Sequence, residues 1–178
     1  MMGDFVTLSA GAHAFGDGAH PTTRGMLEAL AMLDPAEFSP RSACDMGAGS
    51  GIISFAIAQK FQCPVVAVDV EASAVATLKE NAVRNGVEGL LALHADGFNH
   101  REIAARAPYD LITMNILAEP LMRLAGDACT HLAEEGVLML SGILQWQETQ
   151  ITQAYASLGL TLSARLVVGD WVTLVWQK

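Results

Sequence analysis

The sequence predicts an α/β fold of the Rossmann-like kind, a seven-stranded, mostly parallel sheet sandwiched between helices and ended by an antiparallel hairpin. Three observations predict it. Short β-rich runs alternate with stretches of helical period. Alternating glycines, Gly47, Gly49 and Gly51, follow the first apolar run. From Thr161 the alternation stops, and two β-rich runs are joined by Gly169-Asp170. A chain of 178 residues, 52% hydrophobic and 16% charged, suits one sizeable core. A single domain is therefore expected over residues 1–178, with an N-terminal loop and helix to residue 35 and the Rossmann-like core from 40 onward.

The elements follow in order. Met26, Leu27, Leu30 and Leu33 share one side of a helix over 23–33, which Asp34-Pro35 ends. A strand at 42–46 leads through the glycines into a helix at 51–61, then a strand at 64–68. A helix over 71–85 turns Val75, Leu78 and Ala82 inward, and Gly86 closes it as a glycine past a C-cap does. A strand at 90–94, a loop and short helix at 96–106 and a strand at 109–114 come next. The helix at 120–132 starts with Pro120, whose missing N–H costs nothing in a first turn. A strand at 137–140, a helix at 145–158 and the hairpin strands 161–168 and 171–176 complete the chain. Trp146, Trp171, Trp176, Met114 and Met139 are expected to serve packing.

In open parallel sheets, ligands bind beyond the carboxyl ends of the strands where strand order reverses. Asp45 and Gly47 lie at the first such end, Asp69 at the second and Asn115 at the fourth. Glycines let the backbone turn sharply and approach a nucleotide-like cofactor. Asp69 can accept from ribose hydroxyls or cap the next helix. Asp96, in His94-Ala95-Asp96-Gly97, can accept from an adenine amine or simply form an Asp-Gly turn. A dinucleotide fingerprint would place its third glycine at position 52, which is Ile52. The D-x-G-x-G-x-G spacing of Asp45 to Gly51 instead favours S-adenosyl-L-methionine (AdoMet).

Ten Lys and Arg stand against nineteen Asp and Glu, a net charge of −9, with no basic run. Long nucleic acid is disfavoured as a partner, and a basic one is compatible. Cys44, Cys63 and Cys129 read as reduced small hydrophobes, and the five histidines form no ligand-type cluster, so no metal is expected. No run of about 18 apolar residues is present, and an acid stands at position 4 where a signal peptide would be basic. No membrane association and a cytoplasmic location are expected.

Two segments carry a more specific resemblance. Gly16-Asp17-Gly18-Ala19-His20-Pro21-Thr22-Thr23-Arg24 resembles the G-x-G-x-H-P-T-T segment of the PrmA family, methyltransferases of a large-subunit ribosomal protein. Asn115-Ile116-Leu117-Ala118-Glu119-Pro120-Leu121, Leu140-Ser141-Gly142-Ile143-Leu144 and the closing Trp171-Val172-Thr173-Leu174-Val175 are similar to that family as well. The resemblance spans roughly residues 14–176 and covers the catalytic domain only. About thirteen residues precede it, where family members carry a separate recognition domain. Asp17 stands where the family usually has threonine.

That resemblance implies a class I AdoMet-dependent methyltransferase that methylates a protein amine, a lysine or chain terminus on a basic, possibly ribosomal, substrate. A small-molecule amine methyltransferase and a non-catalytic AdoMet-binding regulatory module are the alternatives. Transfer to an amine requires positioning, water exclusion and an unprotonated acceptor more than a strong base. Asn115 has carbonyls to accept from an amine's N–H groups. It is followed by Ile116-Leu117, without the Pro-Pro-Tyr typical of methylases acting on nucleic-acid amino groups. His20 either relays a proton at the transfer site or caps a helix. Thr22 is a candidate cofactor contact, and Phe15 a candidate cover or core residue.

Overall fold

A computed structural model describes residues 19–178. Phe15, Gly16 and Asp17 lie outside the described residues. The elements run α1 (Pro21–Met32), β1 (Ala43–Met46), α2 (Ile52–Phe61), β2 (Val65–Asp69), α3 (Ala72–Arg84), β3 (Leu90–His94), α4 (Arg101–Ala104), β4 (Tyr109–Asn115), α5 (Ala118–His131), β5 (Leu132–Leu144), α6 (Glu148–Ser157), β6 (Thr161–Val168) and β7 (Trp171–Gln177), with a 3-10 turn at Gln145–Gln147 before α6. One sheet carries the order β3-β2-β1-β4-β5-β7-β6, in which β7 alone is reversed. Strand order changes direction between β1 and β4, which places a crevice at their carboxyl ends.

Period-two alternation divides the core between the two faces of the sheet. Cys44, Met46, Val66, Val68, Ile112, Met114, Leu138 and Leu140 pack with residues of α5 and α6. Ala43, Val65, Leu111, Val137 and Met139 pack with α1 and α2. Helix α3 ends in a Schellman arrangement: Gly86 N–H donates to Val83 O and Val87 N–H to Ala82 O, with Gly86 at φ +60°.

Several boundaries differ from expectation. Helix α1 starts at Pro21 because His20 caps it and proline suits the first helical position. Strand β5 is much longer than 137–140. Glu134-Glu135-Gly136 reads as a turn, but the backbone absorbs it with Glu135 at φ +64° and a register shift opposite β4 between Tyr109 and Leu111. At its far end β5 continues through Gly142 by a second register shift, opposite β7. The expected helix at 145–158 divides into the 3-10 turn and α6. Trp176 is buried, but Trp146 is 78% exposed, so the packing role expected of it is overturned.

Candidate functional site

The turn after β1 is built from backbone. Gly47, Gly49 and Gly51 all have positive φ, +76°, +54° and +94°. The N–H groups of Gly47 and Ala48 donate to Val68 O at 2.8 and 2.9 Å, fastening the turn to β2. A Cβ on Gly47 would stand 2.1 Å from Ile116 Cγ2, so the turn passes against the loop that follows β4. Gly51 is buried, and a Cβ there would meet the Phe55 ring at 2.4 Å. Its lack of a side chain serves packing under α2.

Asp69 ends β2 and reaches back to this turn. Its Oδ2 accepts the Gly49 N–H at 2.8 Å, and its Oδ1 accepts the Glu71 N–H at 2.9 Å. An ionised carboxylate offers about four acceptor positions, so capacity is left for two hydroxyls. The N-cap of α3 is Glu71, so the cap reading of Asp69 is overturned: the carboxylate fastens the two turns and keeps acceptor capacity to spare. From α3, the Asn81 side chain donates to Ser50 O at 2.9 Å and braces the turn from another side.

Asp45 lies elsewhere. It is 1% exposed, with Oδ2 accepting from Ser54 Oγ at 2.5 Å and Oδ1 from Thr113 Oγ1 at 2.8 Å. A residue that touches a bound molecule must keep accessible surface before that molecule arrives. Asp45 keeps almost none, and its two bonds tie β1, α2 and β4 together beneath the turn. Burial pushes its carboxyl up to about 6, and the two hydroxyls oppose the rise.

On the other side of the switch point, Asn115 closes β4, half-buried and in register with Ser141. The Ile116 carbonyl that follows is held against Gly142, which has φ +82°; a Cβ there would lie 2.1 Å from Ile116 O. Ser141 Oγ lies 2.9 Å from Thr173 Oγ1 and donates to Thr22 O at 3.3 Å. The two specific segments, around His20 and around Asn115, therefore meet through one hydroxyl.

His20 caps α1. Its Nδ1 accepts the Thr22 N–H at 3.3 Å and lies 2.8 Å from Thr22 Oγ1, and its ring stands edge-on to Trp171 at 5.2 Å. Thr22 is 3% exposed with its hydroxyl at His20, so it supports the helix start. Asp96 is exposed, and its Oδ1 accepts from Arg123 at 2.9 Å. An adenine amine would have to share this carboxylate with the guanidinium. Among the described residues no group of His, Cys, Asp and Glu is arranged to hold a metal, and no helix is long and apolar enough to cross a membrane.

Sequence reasoning missed Ser54, Thr113, Asn81, Ser141 and Gly142. The first four are polar groups on otherwise apolar inward faces, and that mismatch was a signal for each; Ser141 and Gly142 also stood in a segment similar to the family, with no role given to either.

A parallel sheet with one reversed strand, a glycine turn after β1 and an acid closing β2 define the class I methyltransferase fold. Within it, the chain belongs to the PrmA family, described as ribosomal protein L11 methyltransferase, which matches residues 4–178. The ribosomal protein L11 methyltransferase of Rhodopseudomonas palustris (strain BisB5) is 42% identical over 168 residues, 94% of this chain and 57% of that protein. The Brucella suis protein of the same name (strain ATCC 23445 / NCTC 10510) is 40% identical over 170 residues, 95% and 59% respectively. The chain thus spans less than three-fifths of the length of these relatives. Among solved structures, ribosomal protein L11 methylase from Lactobacillus delbrueckii subsp. bulgaricus superposes with a TM-score of 0.84 at 28% identity, covering 97% of this chain and 84% of that one.

Proposed function

We propose that this chain is the catalytic part of an AdoMet-dependent methyltransferase that methylates an amine of a ribosomal protein. The observation that carries this is the pairing of Asp69 and Asn115 at carboxyl ends on either side of β1, joined by a turn whose backbone both loops hold. When bound, AdoMet supplies a methyl group on a positively charged sulfur. Gly47 and Gly49 allow close backbone approach, Asp69 takes ribose hydroxyls, and Asp96 borders the adenine end. Asn115 accepts from the acceptor's N–H groups and so orients its lone pair toward the methyl carbon. The Ile116 and Leu117 flank restricts water around the amine, favouring the neutral nucleophile. His20 is assigned to the start of α1, not to proton transfer.

The test is incubation with methyl-labelled AdoMet and purified ribosomal protein L11, alongside a small-molecule extract. Label in the protein, mapped to lysine or the terminal amine, is the expected result. Label only in small molecules, or AdoMet binding without transfer to any acceptor, overturns it.

A further inference from the structure

Beyond Leu144 the chain makes an unusual display. Trp146 sits on the 3-10 turn Gln145–Gln147 with 78% of its surface exposed, and Leu117, just after the Asn115 loop, is 68% exposed. β4 and β5 are neighbours with Asn115 opposite Ser141, so both residues occupy the carboxyl rim where an acceptor would enter. The turn that carries Trp146 is firmly held. Leu144 N–H donates to Gln147 Oε1 at 3.0 Å, Gln145 N–H to Asp170 O at 3.0 Å, and Gln145 Nε2 to Gly169 O at 3.0 Å. Arg165 of β6 grips Glu148, the next residue, through both carboxylate oxygens at 2.5 and 2.7 Å. These bonds pin the backbone of the turn, and the indole it carries stands in water and gains nothing for the core. Exposed aromatics on a pinned backbone are what recognition surfaces use as anchors.

The charge around it selects the partner. Asp170 joins the same bracket through its carbonyl, and its side chain is exposed with no ion-pair partner among the described residues. Glu119, two residues after Leu117 in the first turn of α5, is exposed likewise. Arg165, the cation of this bracket, is already neutralised by Glu148. An exposed indole whose turn is bonded through Gln145 to Asp170, an exposed acid, fits a lysine: methylenes on the ring, ammonium over the π-face and toward the acid. We infer that Trp146, with Asp170, is a docking platform for a lysine-bearing segment of the protein substrate, separate from the amine that is methylated.

This inference rests on the proposed protein-amine function. It is tested by fluorescence anisotropy with a fluorescein-labelled lysine-rich peptide and its glutamate-substituted counterpart, with AdoMet affinity measured in parallel by calorimetry. Trp146→Ala should weaken the lysine peptide at least about tenfold, Trp146→Phe should restore most of the binding, and Asp170→Asn should weaken it several-fold. AdoMet affinity should hold within about twofold, showing that the variants are folded. Equal affinity in Trp146→Ala, or equal binding of the glutamate peptide, overturns the platform. So does a wild-type dimer that Trp146→Ala dissociates in sedimentation, which would make the occupant a second copy. Peptide binding that depends on Trp146 without methyl transfer would leave the platform standing and count against the proposed reaction alone.

Discussion

Replacing Gly142 by alanine separates backbone strain from steric collision, because Gly159 supplies a matched control. The two glycines have nearly equal φ, +82° and +88°, but a Cβ at Gly142 meets Ile116 O at 2.1 Å and its carbonyl carbon at 2.8 Å, whereas at Gly159 nothing lies within 4 Å. A left-handed alanine costs about 1–2 kcal/mol at either site. Overpacking adds about 1–3 kcal/mol at Gly142 alone, and the obstacle is backbone, which cannot rotate away. With an unfolding entropy of about 2.1 cal/mol/K per residue over 178 residues, Gly159→Ala should lower Tm by about 3–5 °C and Gly142→Ala by about 5–13 °C. Thermal melts followed by circular dichroism give both values. The residue that must yield adjoins Asn115, and misplacement by about 1 Å at an acceptor costs about a hundredfold in rate. Gly142→Ala should therefore lose turnover that Gly159→Ala keeps. Equal Tm losses, or full turnover in folded Gly142→Ala, would refute the close approach and its role.

Asp69→Ala should weaken AdoMet by about 1.5–3 kcal/mol, the scale of hydrogen bonds to a charged group, as read by calorimetry; an unchanged Kd would leave Asp69 a loop fastener only. Asn115→Ala should reduce kcat far more than AdoMet affinity, and equal losses in both would contradict acceptor orientation. For Asp45, the native carboxyl near 6 retains a proton between about pH 4 and 6 that the unfolded chain has released, so this group lowers stability as pH rises through that window, by about 3 kcal/mol in all. Asp45→Asn should flatten that part of the urea-stability profile, and parallel profiles for variant and wild type would show that the carboxyl does not titrate there.

The architecture was legible because its signals are local. Period-two runs, the Asn85-Gly86 stop and the Gly169-Asp170 turn each act within a few residues, and strands 90–94 and 161–168 fall where the pattern puts them. Of the candidate site, the sequence shows which residues fall at strand ends, as Asp69 and Asn115 do, because that position follows from the local β pattern. Asp45 carries the same motif signal, yet which way its side chain turns depends on Ser54 and Thr113, nine and sixty-eight residues away. Thr22 and Ser141 are joined across 119 residues, and no window of sequence contains both. Trp146 was misread because composition alone makes tryptophan a core residue, while the bonds that keep it in solvent come from the opposite hairpin.

These long-range bonds bear on where specificity resides. Helix α1 packs so closely on β7 that a Cβ at Gly25 would stand 2.4 Å from Thr173 Oγ1, and Thr173 in turn meets Ser141. The His20 segment, the end of β5 and the Asn115 loop therefore form one rigid block, with the glycine turn locked to it by Gly47 against Ile116. A block of this kind holds its loops in fixed relation, and a side chain added at Gly25, Gly47 or Gly142 collides with Thr173 or Ile116. Change of substrate is consequently confined to what projects from the block. Among the described residues, the exposed positions beyond β4 and β5, Leu117 and Trp146, together with the Asp170 turn, have that freedom. If the proposed function holds, substitution there should change acceptor preference, read as kcat/KM on two acceptors, while AdoMet affinity stays unchanged.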